Sequence, residues 1–341
     1  MIRSQYIQLR MLMCEDSVLT SDGHSEMQAI DHGLLAKDYV VYEDQLQFFA
    51  LLARLDIRTS VDRLHESLRS RCSALQSEFA RLERAIDSGS QRTIDLLHEQ
   101  IHWIVLMIGY TLADSGTSER VLIPRQVTKY SKTCTSTEQD HTVQAILSML
   151  QLLQFELSAP SPTVASYCSP LLAETLFWAL RRIAPVYLLF DRSDYREVSQ
   201  SLVAAFGTTL DGGNGVAVVG GILGLIKSAF EQWVSEEDVL QMCIDMLLAF
   251  AQRASLAQAI TESPLFAPLM QFLVGSMHRF PETTHSSIVE ALAVLCCHSP
   301  SAEHERGFAE LKSLILGGFG QVAAAQPQDP RVIGRVLDGL D

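Results

Sequence analysis

Residues 61–86 read VDRLHESLRSRCSALQSEFARLERAI. Val61, Leu64, Leu68, Cys72, Leu75, Phe79, Leu82 and Ile86 recur every three or four positions, and Arg63, Glu66, Arg69, Arg71, Glu78 and Arg81 fall between them. That is the period of an amphipathic helix with one side toward a partner and the other toward water. Residues 93–114, TIDLLHEQIHWIVLMIGYTLAD, are apolar on nearly every face. A helix of this kind sits between neighbours, so the two stretches in succession predict stacked helical layers.

The same spacing continues outward from Tyr39, and alternating strand-like stretches are almost absent. It predicts further helices over 139–157, 170–190, 195–206, 216–234, 236–253, 264–279, 284–298 and 303–318. Turn-forming clusters separate them at Ser158-Ala159-Pro160-Ser161-Pro162, Asp211-Gly212-Gly213-Asn214-Gly215 and Glu262-Ser263-Pro264. The first helices of successive pairs start at intervals of roughly 40 to 50 residues, close to the period of helix-pair repeats. The predicted fold is therefore all-α: an α-α superhelix, a HEAT/ARM-like α-solenoid of antiparallel helix pairs. Residues 1–38, polar from Glu15 to His32, read as a partly disordered N-terminal segment. Residues 39–320 read as the HEAT-like repeat region, with a polar loop at about 115–139, and residues 321–341 as a weakly patterned C-terminal tail.

Of the 341 residues, 48% are hydrophobic, enough for a large core or several stacked small ones. Lys and Arg total 26 against 40 Asp and Glu, a formal charge of -14 that repels phosphate backbones and anionic headgroups. Nucleic acid and membrane are thus excluded as expected partners, and basic proteins are favoured. Residues 1–10 lack the apolar core of a secretory signal, and the apolar runs 103–113 and 215–226 are shorter than the ~20 residues of a membrane span. The seven cysteines have no regular spacing and fall mostly at apolar positions, as expected of buried free thiols in a reducing compartment.

One chemical motif stands out. His98-Glu99-Gln100-Ile101-His102 fits H-E-x-x-H, which on a helix puts two imidazoles on one face for Zn²⁺ with Glu99 as a base. A catalytic zinc needs a third ligand, and Trp103-Ile104-Val105-Leu106-Met107 follows where polar ligands would be expected. His98 and His102 are therefore read as core residues, and a zinc metallopeptidase is the minor alternative. Cys296-Cys297-His298 with His304 has no C-x-x-C partner and reads as packing. The glycines from Gly212 to Gly221 lack the Lys-Ser/Thr of a phosphate loop and read as a loop plus a close helix contact. Leu147, Leu150, Leu153 and Phe155 match the loose spacing of a leucine-rich export signal, and equally the buried stripe of a helix. Glu236, Glu237 and Asp238 read as a solvated helix start. No catalytic, cofactor-binding or metal residue is assigned, and no enzymatic activity is expected.

The run Leu96-Leu97-His98-Glu99-Gln100-Ile101-His102-Trp103-Ile104-Val105-Leu106-Met107-Ile108-Gly109-Tyr110-Thr111-Leu112-Ala113-Asp114, followed by Leu122-Ile123-Pro124, resembles the central region of the exportin-4 family of nuclear transport receptors, in the importin-β superfamily. Phe177-Trp178-Ala179-Leu180-Arg181-Arg182, Tyr187-Leu188-Leu189, Asp191, Tyr195 and Ala205-Phe206-Gly207 follow in matching order, and the resemblance spans about Tyr42 to Gly320. In that family pattern Glu99, His102 and Trp103 have counterparts, whereas an aromatic residue commonly stands at the position of His98.

The resemblance implies a superhelix that holds protein cargo on inner surfaces, loads it cooperatively with Ran-GTP, meets nuclear pore proteins and shuttles between nucleus and cytoplasm. It also implies cargo such as the hypusine-bearing translation initiation factor, with GTP bound on Ran and no cofactor here. Exportins are about three times this length and carry their Ran-binding repeats at the N-terminal end, so the chain is expected to be a central piece. A HEAT-repeat scaffold or adaptor unrelated to transport is the alternative from another class.

Overall fold

The computed structural model describes residues 2–20, 37–82, 88–114, 121–158, 162–191, 193, 198–297, 309, 311–313 and 316. Among them every regular element is a helix, and the fold is an all-α solenoid. The chain divides into two compact units, residues 1–187 with 191–205, and residues 188–190 with 206–341.

The first unit holds α1 (Ile2–Thr20), α2 (Asp38–Val41), α3 (Glu43–Leu55), α4 (Ile57–Leu82), α5 (Ser88–Leu112), α6 (Arg125–Ser131), α7 (His141–Glu156), α8 (Pro162–Ala165), α9 (Pro170–Tyr187) and most of α10 (Gln200–Phe206). The stripe that predicted α4 is its buried side: Val61, Leu64, Leu68, Leu75, Phe79 and Leu82. α4 and α5 are antiparallel neighbours: Phe79 late in α4 meets His98, and Arg71 earlier in α4 donates to Gln100 further along α5 (2.9 Å).

Pairs then stack on pairs. His65 meets His141 early in α4 and α7, and Phe79 meets Phe155 late in both, so α4 and α7 run parallel. His102 meets Thr175 and, further along, Tyr110 meets Trp178, so α5 and α9 run parallel as well. α5 is the hub, packed against α1, α3, α4, α7 and α9, with every residue from Gln100 to Ala113 buried. Gly109 permits the crossing with α9, because a Cβ there would lie 2.7 Å from the Trp178 ring.

A helix buried this deeply must find partners for its terminal carbonyls inside the protein. Arg54 of α3 donates from Nη2 to Tyr110 O (2.9 Å), from Nε to Thr111 O (2.9 Å) and from Nη1 to Asp114 Oδ1 (2.7 Å). From α9, the Tyr187 hydroxyl donates to Leu112 O (2.9 Å) and Arg182 Nε to Ala113 O (2.8 Å). Four successive carbonyls are thus closed by three side chains.

The second unit contains α11 (Gly215–Gln232), α12 (Glu237–Ala251), α13 (Ala254–Thr261), α14 (Phe266–Gly275) and α15 (His285–Cys297). α12 packs on α15, and α11 on α12, α13 and α14. α11 has the length and apolarity of a membrane span, contrary to the sequence reading, although 44% of it is buried and Ile222, Leu223, Leu225, Ile226 and Phe230 face into the unit. Before α11 the backbone folds onto itself: Leu189 N–H donates to Phe206 O (2.8 Å) and Gly215 N–H to Gly207 O (2.9 Å). A Cβ on Gly215 would lie 2.3 Å from Phe206 O, so only glycine fits there. This is the close contact expected of the glycine run, at Gly215 and not at Gly221, where nothing lies within 4 Å.

Several predicted boundaries change. The polar loop at 115–139 contains α6, whose Val127, Thr128, Tyr130 and Ser131 are buried. The polar flanks hid it, since its apolar side is only two residues wide. The helix over 236–253 is followed at once by α13, which was not predicted, after a bend of 113°. The helix over 170–190 stops at Tyr187, and the one over 264–279 shrinks to α14 plus a 3₁₀ turn at Met277–Arg279. The segment read as partly disordered contributes α1. Residues 21–36, the tail 321–341 and most of the helix expected over 303–318 lie outside the described residues.

Two expectations follow. Gly215→Ala lowers unfolding free energy by about 1–3 kcal/mol through backbone overpacking, whereas Gly221→Ala raises it by up to about 1 kcal/mol; urea titrations of both variants check the contrast. Arg54→Met, which strands two buried carbonyls, costs about 3 kcal/mol in the same assay.

Candidate functional site

On α5, His98 and His102 are one turn apart on the same face, as the H-E-x-x-H spacing requires. Both are buried. His98 Nε2 lies 3.1 Å from Glu156 Oε1 of α7, a carboxylate with 0% exposure whose Oε2 accepts the Ser169 N–H (3.1 Å). His102 Nδ1 is 2.7 Å from Thr175 Oγ1 on α9, and its Nε2 is 3.1 Å from Asp38 Oδ2 on α2. Glu99 Oε1 accepts the Trp103 indole N–H (2.8 Å). Zinc would need a ring nitrogen of each histidine turned toward one point, whereas both nitrogens of His102 face protein oxygens and His98 turns Nε2 to the Glu156 carboxylate. Among the described residues no group of three or more His, Cys, Asp and Glu gathers as ligands of one ion. What the motif does here is fasten α5 to α2, α7 and α9. A cavity of about 320 Å³ opens beside it, lined by Asp95, His98, Glu99, His102, Tyr167 and Cys168 among others.

Next to this face, residues 37–42 cross from α2 over α5 and α9. Lys37 Nζ pairs with the buried Glu174 Oε2 (2.9 Å), and the Tyr39 hydroxyl donates to Glu174 Oε1 (3.2 Å). The Tyr39 ring stacks on Trp178 at 5.2 Å, and its carbonyl accepts from the Tyr110 hydroxyl (2.7 Å). The Arg10 guanidinium of α1 lies 4.0 Å from the Trp103 ring centre and 4.4 Å from that of Tyr42, and donates to Gln45 Oε1 (2.9 Å). This cation–π contact seats α1 on α5 and α3.

The remaining motifs are also placed. Cys296 is buried and Cys297 exposed, so the adjacent cysteines face apart; His298 and His304 lie outside the described residues. Cys14, Cys168 and Cys243 are buried as expected, whereas Cys72 and Cys134 are only partly so. Burial, with Glu99 adding to it, pushes the Cys14 thiol up to about 12, and burial pushes Cys72 up to about 12, which leaves both as thiols at neutral pH. Leu153 is buried, Leu147, Leu150 and Phe155 are partly exposed, and the stripe of α7 runs instead through Val143, Ile146, Met149 and Leu152. Glu236, Glu237 and Asp238 are exposed at the start of α12.

The exposed apolar groups were missed by the sequence reading. Phe48, Leu51 and Leu55 of α3 are 62%, 61% and 81% exposed and share one side of the helix, and Leu9, Leu12 and Met13 form a similar stripe on α1. In the second unit Leu210 is 98% exposed on a loop fixed by Thr208–Asp211 bonds and the left-handed Gly212.

His98→Ala should lower unfolding free energy by about 1–3 kcal/mol, because Glu156 loses its buried partner. Zinc measured in the purified protein should be the same before and after the substitution; stoichiometric zinc lost on substitution would overturn the packing role.

A sequence model of the Exportin-4 family matches residues 1–327, which extends the expected span to include α1 and the strap before α3. Exportin-4 of Dictyostelium discoideum is 21% identical over 328 residues, 92% of this chain and 27% of that protein. The chain therefore spans about a quarter of the length of the curated relative it matches. With the match running almost from end to end, the chain belongs to the Exportin-4 family.

Proposed function

We propose that the chain is a segment of a nuclear export receptor that binds protein cargo together with Ran-GTP and carries it through the nuclear pore, between nucleus and cytoplasm. The observation that carries this reading is the Exportin-4 match over residues 1–327. Stacked helix pairs suit the task, since each pair touches only its neighbours and small changes at each joint add up to a change of curvature. Exposed apolar stripes on α1 and α3 and the Leu210 loop supply contact surfaces, and the charge of -14 favours basic cargo. The resemblance to the family also implies the hypusine-bearing translation initiation factor as a cargo. GTP is bound and hydrolysed on Ran, so the segment itself works without a cofactor and without catalysis.

The test uses the complete product of the gene, immobilised and offered cargo with Ran in either nucleotide state. Ran-GTP should raise cargo affinity at least about five-fold over Ran-GDP, the low end of ordinary coupling energies. Equal binding in the two states would sink the export reading and leave a scaffold unrelated to transport.

A further inference from the structure

α6, the turn after it and the first residue of α7 form an elbow over residues 125–141 that docks on α4 through four side chains. Asp62 Oδ1 accepts from the Tyr130 hydroxyl (3.1 Å) and lies 2.6 Å from His141 Nδ1. The His65 ring lies over the His141 ring, with centroids 4.9 Å apart and planes tilted by 30°. His65 and Tyr130 are buried, whereas His141 and Asp62 keep side-chain exposures of 36% and 39%. The Tyr130 hydroxyl also accepts the His141 N–H (3.4 Å), so the phenol, the imidazole pair and the start of α7 are seated together.

We propose that this cluster is an acid-released joint, in which protonation of the buried His65 parts the elbow from α4. A charged His65 would be buried against the His141 ring, while Asp62 Oδ1 is already engaged by the Tyr130 hydroxyl and His141 Nδ1. The other charges acting on His65 come from its own helix: Arg69 adds to the repulsion, and Asp62 and Glu66 oppose it. The elbow contributes the Tyr130 phenol and the Cys134 thiol, both held protonated and neutral by burial, and the Asp140 carboxylate, which accepts from the Ser131 and Ser201 hydroxyls.

Burial, then His141, then Arg69 hold His65 below the ordinary histidine range. With the folded value depressed, the stabilisation is complete above the unfolded histidine value of about 6.5 and is lost as pH falls through and below it. His65 cannot move away without unwinding α4, so the elbow is the part that yields. Its release loosens the start of α7 on the α4 side, while Asp140, which caps that helix by accepting the Thr142 N–H (3.1 Å), stays held by the Ser201 hydroxyl (2.6 Å).

Hydrogen–deuterium exchange of the full chain at about pH 7.5 and about pH 5.5, converted to protection factors, reads the joint directly. Protection over 125–141 should fall about ten-fold relative to α5 on acidification. In His65→Gln the same fall should shrink below about three-fold. His141→Gln breaks the ring pair from the partly exposed side, and the same flattening is expected there even if His65→Gln fails to fold. An elbow whose protection is unchanged by pH in the unsubstituted protein, or one that falls equally in the folded variants, would overturn the joint.

Discussion

A helix surrounded on every side has no water to take up the four carbonyls at its C-terminus, and α5 is such a helix. The surrounding architecture can be read as the answer to that constraint. Arg54 reaches from α3, and Arg182 and Tyr187 from α9, so two neighbours must converge on the same end of α5. Once they do, further contacts follow. Arg182 comes to lie 4.3 Å from the Tyr110 ring centre, and Trp178 is drawn into the space that Gly109 leaves open. Tyr110 then holds the carbonyl of Tyr39, which fixes the strap of residues 37–42.

The same rule accounts for the protease-like string in the middle of α5. Polar side chains in a buried helix persist only with partners, and His98, Glu99 and His102 each have one or two. A motif that at first reading suggests chemistry is here a set of fasteners. Elsewhere, helix sides and one loop keep large apolar groups in water.

Periodicity made α4 and α5 legible because each is long and each has an unambiguous pattern. It failed for α6, where burial rests on individual long-range bonds, Tyr130 to Asp62 and Ser131 to Ser199, and not on a wide apolar face. It failed again for α13, whose eight residues between the end of α12 and the Glu262-Ser263-Pro264 turn are too few to show a repeat. The partners of the two histidines are 58 and 73 residues away in sequence, beyond the reach of any local pattern. The exposed stripe on α3 was hidden for the opposite reason: its Leu46, Phe48, Phe49, Ala50, Leu51, Leu52, Ala53 and Leu55 mark the helix as apolar without saying which side lacks a neighbour.

The closure of α5 also has an order in time. Arg54 leaves the ribosome before α5, so the carbonyls of Tyr110 and Thr111 can be capped as soon as the helix forms. Those of Leu112 and Ala113 must wait for Tyr187 and Arg182, which follow 75 and 69 residues later. At ~5–20 residues per second that interval lasts from several seconds to roughly fifteen. Throughout it the flank of α5 destined for α9 stays bare, including the Gly109 crossing, and it is the surface of the nascent chain that a chaperone would have to shield.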